Sequence, residues 1–158
     1  MQVKTQGLII REQTVGESDR LVTVLTRDAG VVRAFARRAK NLKDSKSAAT
    51  QLLCYSRLSI FKGREKYMID DAEPIEVFFG IRRDIAALSL AQYFCELAYL
   101  MVPEDTDSEE YLRLILNSLH FYQRHAADTA VAVRDRAAYA LVGWLYAKFS
   151  CVRKLRRV

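Results

Sequence analysis

The sequence is poor in the residues that hold metals or form covalent cross-links. Its 158 residues include two histidines and three cysteines, and Cys54, Cys95 and Cys151 lie more than 40 residues apart. This spacing fits neither a disulfide framework nor a CxxC metal site, so we expect reduced thiols, two of them packed in the core. His120 and His125 are five residues apart, which is not the i, i+4 spacing of two zinc ligands on one helix face. We therefore predict no metal and no cofactor.

The sequence also lacks long apolar segments. No run of about 18 or more apolar residues is present, and the apolar group at residues 7–10 is too short for the core of a secretory signal. Apolar residues nevertheless make up 51% of the chain, which suffices for a packed core. These features predict a folded cytoplasmic protein.

The common motifs of enzyme active sites are missing as well. The sequence contains no Walker loop, Gly-x-Ser-x-Gly elbow or Gly-x-Gly-x-x-Gly turn. One acidic segment invites comparison with a two-metal nuclease, and its carboxylates are Asp70, Asp71, Glu73 and Glu76. No His or Lys in this segment is available to act as a base, so solvated charges at a strand end explain it better. We therefore predict that the protein is not an enzyme.

Charge is distributed unevenly along the chain. Residues 1–66 hold 14 Lys or Arg against 6 Asp or Glu, residues 67–112 hold 2 against 11, and residues 113–158 hold 9 against 2. The two ends are therefore basic and the middle is acidic. Such segregation orients a nucleic acid toward the basic surfaces and away from the acidic one.

Alternating apolar residues in the first half of the chain predict five β-strands. The candidate strands lie at residues 8–10, 21–25, 31–35, 53–61 and 67–69, and turn-forming segments at 14–19, 28–30, 40–47 and 62–65 separate them. Five short strands in about 75 residues predict a small closed barrel of the OB-fold type, with an SH3-like barrel as the main competitor.

After Pro74 the apolar period becomes helical. A first helix is predicted at residues 81–103, with an apolar stripe that includes Ile85 and Tyr93. A second helix begins after the capping residues 106–110, and its predicted buried stripe is formed by Tyr111, Leu112, Ile115, Leu116, Leu119 and Tyr122. An Ala-rich third helix is predicted at about residues 128–149.

A basic segment at residues 33–47 is the strongest candidate for contact with a nucleic acid. It carries six cations and one carboxylate, a balance that solvated loops of mixed charge seldom show. A second basic turn follows at residues 62–66, and loops of an OB-like barrel converge on one binding face. We predict phosphate contacts by Arg33, Arg37, Arg38, Lys40, Lys43, Lys46, Lys62, Arg64 and Lys66. Weaker candidates are Arg11 and Arg20, and Arg20 has the alternative of pairing with Glu17 or Asp19 to brace a turn.

Several short motifs in the N-terminal part occur in a distinctive order. They are Gly7-Leu8-Ile9-Ile10-Arg11, Gly16-Glu17-Ser18-Asp19-Arg20-Leu21, Leu25-Thr26, Gly30 and Arg33-Ala34-Phe35-Ala36-Arg37. In order and spacing they resemble the N-terminal signature of the bacterial RecO recombination-mediator family. Residues 58–62, 70–78 and 81–103 resemble that family's fourth strand, its strand-to-helix junction and its first long helix. The resemblance covers roughly residues 1–123, and its N-terminal part is the specific one.

The resemblance implies an α+β fold, with a five-stranded OB-fold β-barrel at residues 1–78 and an α-helical domain, apparently incomplete, at residues 79–158. It implies a non-catalytic DNA repair protein that binds single- and double-stranded DNA and anneals complementary strands. The implied partners are RecR and the single-strand DNA-binding protein. The protein would help to load RecA on DNA that the single-strand DNA-binding protein coats. A basic groove for that protein's acidic tail is expected in the helical domain, at Arg82, Arg83 or the C-terminal cations. The implied location is cytoplasmic and nucleoid-associated.

Two features depart from the family pattern. Arg38 stands where the family usually has glycine, which puts the conformation of the following turn in question. The chain ends at Val158, before the family's Cys-rich zinc-binding segment, so no zinc site is carried over. Residues 143–153 can be back-translated so that a one-nucleotide shift reads Ala-Gly-Phe-Met-Pro-Asn-Leu-Val-Ala-Cys-Gly, which resembles the missing stretch. This suggests a frameshifted C-terminal end, a hypothesis that the gene's nucleotide sequence tests.

Two other interpretations stay open at this point. A protein-interaction module would use the basic face for an acidic partner and bind DNA incidentally, and an RNA-binding OB protein of translation fits the charge but not the Gly-Glu-Ser-Asp-Arg element. Aromatic residues on the barrel surface discriminate among them, because sequence-tolerant binding of single strands relies on stacking. The candidates are Phe35, Tyr55, Phe61 and Tyr67, whose directions the sequence leaves open.

Overall fold

The computed structural model describes residues 2–41, 44–64, 66–125 and residue 143. Five strands form a barrel: β1 (Gln2–Val15), β2 (Asp19–Thr26), β3 (Val31–Ala36), β4 (Cys54–Lys62) and β5 (Tyr67–Val77). The helices are α1 (Ser45–Ala49), between β3 and β4, then α2 (Phe79–Arg82), α3 (Ile85–Met101) and α4 (Glu109–His125). The predicted α+β class, with five N-terminal strands followed by helices, is confirmed.

The barrel closes in the strand order β1-β2-β3-β5-β4. Neighbouring strands are antiparallel except β3 and β5, which pair in parallel from Ala34↔Tyr67 to Ala36↔Ile69. β4 completes the barrel by pairing with β1, from Gln2↔Phe61 to Leu8↔Tyr55. The OB-fold prediction is thereby confirmed over its SH3-like competitor.

A β-bulge in β1 decides which of its side chains face the helices. The register against β2 shifts between Ile9 and Arg11, so Ile10 is the extra residue. Ile9 packs inside the barrel, whereas Leu8 and Ile10 pack outside it against the helices. Beyond the bulge Arg11 pairs with Thr23 and reaches α3.

Two apolar cores involve the barrel, and a smaller cluster joins Phe94 of α3 to Tyr122 of α4. One fills the barrel and includes Ile9, Val22, Val24, Leu58, Ile60 and Ile69. The other joins the outer face of the barrel to the helices, and it includes Leu8, Ile10, Leu25, Val31, Phe78, Ile81, Ala91, Ile115 and Leu119. The helices therefore cover one side of the barrel and leave another side to solvent. The predicted domain boundary between residues 78 and 79 stays a prediction.

The predicted first helix is wrong in its continuity, because the chain forms two helices there. The Asp84 carboxylate accepts hydrogen bonds from the backbone N–H groups of Ala86 (2.8 Å) and Ala87 (3.1 Å), so it caps α3 as a separate helix. Two residues of the predicted buried stripe lie outside the core: Ile85 is 84% exposed and Tyr93 is 48% exposed.

The second predicted helix is confirmed as α4. Of its predicted stripe, Leu112, Ile115, Leu119 and Tyr122 are buried, and Tyr111 and Leu116 are partly buried against the core between barrel and helices. The predicted helix at residues 128–149 and the hypothesis on the C-terminal end concern residues that, apart from 143, lie outside the described part. Within the described part, no helix is long and apolar enough to cross a membrane.

Two other elements differ from the prediction. β5 continues to Val77 instead of ending near residue 69. Pro74 is tolerated there because β5 meets β3 over three residue pairs only, which leaves the later backbone N–H groups unpaired on that side. Residues 45–47, the end of the turn predicted at residues 40–47, belong to α1, since the Asp44 carboxylate accepts the Lys46 N–H at 3.0 Å and Ala49 packs into the barrel core.

Candidate nucleic-acid interface

β3 presents a row of side chains on the outer surface of the barrel. Ala34 and Ala36 are fully buried inside it. Arg33 and Phe35 alternate with them along the strand, so they face outward, and the exposed Arg37 follows at the strand's end. Two cations therefore flank an aromatic ring, each about 7 Å along the strand from it.

The turn between β4 and β5 adds a third cation to this surface. The Lys66 ammonium lies 5.3 Å from the centroid of the Phe35 ring, within the range of a cation–π contact. The parallel pairing of Phe35 with Met68 holds the start of β5 beside β3 and so positions Lys66. The two basic segments that are separate in sequence thus meet at Phe35.

The turn after β3 is tied to the turn between β1 and β2. The backbone N–H of Arg38 donates to the Asp19 carboxylate at 2.9 Å, and the N–H of Lys40 donates to the Ser18 carbonyl at 3.1 Å. Arg38 has φ 56°, the left-handed conformation that glycine adopts most easily. The turn therefore keeps a glycine-like backbone while the side chain adds charge. We call Arg33, Phe35, Arg37, Arg38 and Lys66 the cationic stripe.

Other predicted phosphate ligands lie apart from the stripe or are engaged. Lys40 is half-buried and Arg64 is exposed in the β4–β5 turn. Lys46 is largely covered, and its ammonium lies 3.6 Å from the Asp44 carboxylate. Lys43 lies outside the described residues.

Lys62 lies toward acidic residues at one end of the barrel. Its ammonium is 5.4 Å from the centroid of the Tyr67 ring. A hydrogen bond with Tyr67 raises the pKa of Lys62, and the nearby Asp105 and Glu104 carboxylates act in the same direction. A cavity of about 200 Å³ has Lys62, Tyr67 and Asp105 in its lining. Lys62 is thus exposed, but its surroundings are less cationic than the stripe.

The two weaker candidates hold elements of the fold together. Arg11 forms a two-point ion pair with Glu96, at 3.2 Å from Nε and 2.5 Å from Nη2, and its guanidinium lies 3.8 Å from the centroid of the Tyr99 ring. Arg20 donates to the Ser47 carbonyl at 2.8 Å and to the Thr50 hydroxyl at 3.2 Å. Arg20 therefore braces α1 rather than the turn at residues 16–18.

A row of apolar side chains crosses the same outer surface at right angles to the strands. Leu21 pairs with Phe35, Phe35 with Met68, and Met68 with Phe61. Paired residues share a face of the sheet, so these four side chains adjoin one another across β2, β3, β5 and β4. Phe61 is 49% exposed. We call these residues the apolar row; it crosses the cationic stripe at Phe35.

The other two aromatic candidates point elsewhere. Tyr55 packs against the helix-side core, and its hydroxyl donates to the Gln6 side-chain carbonyl at 2.7 Å. Tyr67 packs against the barrel core. Sequence reasoning missed Leu21 and Met68, because apolar residues in a strand give no sign of which partners lie beside them in the sheet.

The acidic segment is spread over separate contacts instead of forming a metal site. The Asp70 carboxylate accepts from the Gln2 amide at 3.1 Å, Glu73 pairs with Arg57 at 2.7 Å, and Glu76 lies 3.1 Å from His120 Nε2. No group of three or more potential metal ligands occurs among the described residues.

A small cationic cluster on the β1–β4 side escaped sequence reasoning. Lys4, Arg27 and Arg57 line a shallow cavity of about 360 Å³. Arg27 pairs with Glu109 at 2.9 Å, and Arg57 pairs with Glu73, so most of this charge is compensated.

The cysteines behave as structural thiols. Cys54 and Cys95 are buried and unpaired, as the sequence predicted for two of the three. Burial raises the pKa of Cys54 and raises that of Cys95 to about 12. Both thiols are therefore protonated and unreactive at neutral pH.

Comparison with known proteins agrees with the N-terminal motifs. Residues 1–78 match the family model described as Recombination protein O N terminal, and residues 82–154 match the one described as Recombination protein O C terminal. Among curated proteins, DNA repair protein RecO of Acetivibrio thermocellus is 34% identical over 122 residues, which cover 77% of this chain and 49% of that protein. DNA repair protein RecO of Symbiobacterium thermophilum is 31% identical over 148 residues, covering 92% of this chain and 58% of that protein. The chain spans about half the length of the curated relatives it matches.

Proposed function

The chain belongs to the RecO family of DNA repair proteins, and we propose that it binds single-stranded DNA on the outer face of β3 without catalysing a reaction. The phosphates contact the cationic stripe, and the bases stack on the apolar row. The observation that carries the proposal is the meeting of Lys66 with Phe35, between Arg33 and Arg37 on one surface.

The physical basis is the pairing of cations with an aromatic platform. Cations that neutralise phosphates release counterions, which favours binding of any sequence. Stacking on aromatic rings contributes about 1–3 kcal/mol per base and is equally tolerant of sequence. Phe35 and Phe61, with Met68 between them, supply such a platform beside three arginines and a lysine. A single OB-fold covers about 4–16 nucleotides, and the six residues of β3 span roughly 20 Å.

The absence of catalysis is part of the proposal. In the acidic segment at residues 70–76, the carboxylates of Asp70, Glu73 and Glu76 are engaged with Gln2, Arg57 and His120 respectively. Such carboxylates favour a structural role over metal-assisted phosphodiester cleavage.

The wider activity is proposed from the family. Two complementary strands repel each other, and neutralisation of their phosphates on one surface favours annealing. We propose RecR and the single-strand DNA-binding protein as partners, so that RecA is loaded on coated DNA. For the acidic tail of the single-strand DNA-binding protein, Arg83 is the better candidate: it is exposed and flanked in the chain by exposed Phe79 and Ile85. Arg82 instead donates to the Gln51 side chain and the Leu52 carbonyl.

The experiment is a salt titration of DNA affinity. Fluorescence anisotropy of a labelled single-stranded oligonucleotide, longer than the roughly 16 nucleotides of one OB-fold site, gives the dissociation constant at several salt concentrations. The triple variant Arg37→Ala, Arg38→Ala, Lys66→Ala removes three cations of the stripe. It should weaken binding and reduce the log–log salt slope by about 2, since each single-strand phosphate contact contributes about 0.7.

The matched control removes the same charge elsewhere. The triple variant Lys4→Ala, Arg57→Ala, Arg113→Ala changes three exposed cations away from β3. It should leave the slope close to that of the parent chain. Equal slopes for all three proteins, or no binding by the parent chain, would contradict the proposal and favour a protein-interaction module with an acidic partner.

A further inference from the structure

A groove separates the outer face of the barrel from helix α3. Its volume is about 670 Å³, within the range of roughly 300–1,000 Å³ typical of ligand pockets. Ile10, Leu21 and Thr23 of the barrel line it together with Gln92 and Tyr93 of α3. Arg33 belongs both to this lining and to the cationic stripe, so the groove opens beside the proposed path of the DNA backbone.

The charges inside the groove are largely compensated. Arg11 is paired with Glu96 at 2.5 Å and lies on the face of the Tyr99 ring. The Glu12 carboxylate accepts the Leu52 N–H at 2.7 Å. Among the described residues, nothing forms an ion pair or hydrogen bond with the Arg33 guanidinium, which therefore stays available at the groove's edge. The interior suits a neutral group, and the edge suits an anion.

The remaining lining is that of a site for a flat polar ring. Tyr93 is 48% exposed and presents an aromatic surface. The side chains of Gln13 and Gln92 also line the groove, and each carries both donors and acceptors. Ser89 lines it too; its hydroxyl donates to the Ile85 carbonyl at 2.8 Å, so its oxygen serves as an acceptor. Aromatic stacking combined with amide and hydroxyl hydrogen bonds is how proteins hold unpaired nucleobases.

We propose that this groove receives one unpaired nucleobase of the strand bound on the cationic stripe, with Arg33 holding the adjoining phosphate. The inference rests on the proposed function and names a second place for a base, which adjoins the apolar row at Leu21. An acidic peptide is a poorer occupant, because the charges inside the groove already compensate one another.

The test compares an ordinary single-stranded oligonucleotide with an abasic oligonucleotide of the same length. The dissociation constant of the abasic oligonucleotide divided by that of the ordinary one measures the part of the affinity that depends on bases. Tyr93→Ala should lower this ratio about fivefold or more and leave the affinity for the abasic oligonucleotide unchanged. Tyr93→Phe, which keeps the ring, should retain most of the ratio.

Two controls separate this site from the rest of the interface. Leu100→Ala removes another exposed apolar side chain of α3, one that does not line the groove, and should leave the ratio unchanged. Phe35→Ala should lower the ratio by a factor that multiplies with the effect of Tyr93→Ala, because the two rings would hold different bases. Thermal unfolding of each variant checks that the fold is retained.

The outcomes are distinguishable. If the parent chain binds DNA with the expected salt slope but Tyr93→Ala leaves the ratio unchanged, the groove is not a base site and the proposed function stands. If Tyr93→Ala weakens binding of both oligonucleotides equally, the residue acts on the protein fold or on the DNA backbone, and the inference is likewise overturned. If the parent chain binds neither oligonucleotide, both the inference and the proposed function fail.

Discussion

The backbone N–H of Arg38 donates to the Asp19 carboxylate at 2.9 Å while Arg38 adopts φ 56°. This contact joins the turn after β3 to the turn before β2. An L-residue in the left-handed region is strained by about 1–2 kcal/mol, so Asp19 offsets part of the strain that Arg38 introduces. Arg38 therefore adds a cation at a position whose backbone conformation glycine adopts most easily.

Arg38→Gly should stabilise the protein and weaken its salt-dependent DNA binding. Removal of the left-handed strain, less the greater freedom of glycine in the unfolded chain, should raise the free energy of unfolding by roughly 0.5–1 kcal/mol. The log–log salt slope for single-stranded DNA should fall by about 0.7. Urea unfolding and anisotropy measure the two effects. Arg37→Gly is the control: Arg37 does not have positive φ, so the same loss of charge should come with a loss of stability.

Gly30→Ala should destabilise the protein by about 2–4 kcal/mol. Gly30 has φ 69°, and a Cβ there would overlap the Pro103 carbonyl, where the β2–β3 turn pairs with Glu104 of the α3–α4 loop. Gly16→Ala provides the comparison, since Gly16 has φ 61° but nothing lies within 4 Å of its added Cβ. It should cost only about 1 kcal/mol. Equal losses in urea unfolding would mean that the close approach at Gly30 is unimportant.

Arg11→Ala should affect stability more than DNA binding. Its ion pair with Glu96 is about half exposed, with side-chain exposures of 41% and 51%, and such a pair contributes about 0.2–1 kcal/mol. The stacked Tyr99 ring adds about 0.5–1 kcal/mol. A double-mutant cycle with Glu96→Gln should give a coupling within the ion-pair range. Because Arg11 is already paired, the salt slope should not change; a decrease of about 0.7 would instead assign it a phosphate contact.

The free energy of unfolding should fall at high pH because of Cys95. Burial raises its pKa to about 12 in the folded protein, against 9.0 for an unperturbed thiol. The folded state thus holds a proton that the unfolded state loses, so the stabilising contribution of the Cys95 thiol is fully present below pH 9 and is lost progressively between pH 9 and about pH 12. Urea unfolding at a series of pH values measures this loss.

The burial of the thiols predicts low reactivity as well. In a Cys151→Ser background, a thiol reagent at pH 8 should modify Cys54 and Cys95 only after denaturant is added. Rapid modification of the folded protein would show that these thiols are accessible.

Much of the barrel was predictable because strand alternation is a local property. The alternation of Arg33 and Phe35 with Ala34 and Ala36 is visible in the sequence, and the burial of the two alanines shows that the other set faces outward. The stripe of α4 followed from its period in the same way. The break at Asp84 was missed because an apolar period of 3.6 residues ran across it, although an aspartate before an apolar run is a recognised cap signal.

The sequence did not predict which cations are engaged within the protein and which stay free. Arg11, Arg20 and Lys46 look as available as Arg37 in the sequence, yet each is engaged by a residue far along the chain or by a local cap. Lys62 is drawn toward Tyr67 and Asp105. These partners come together only when the barrel and helices pack, so composition overstates the number of free positive charges.

The sequence by itself determined the five strands, the basic character of two segments and the family. The tertiary structure decided that these segments meet at Phe35, that Leu21, Phe35, Met68 and Phe61 form one row, and that a bulge at Ile10 directs Arg11 to α3. The physical reason is the range of the interactions. The alternation of side chains along a strand follows from the residues beside one another in the chain. The face that each set takes, the strand register and the bulges follow from the packing of residues that are distant in sequence.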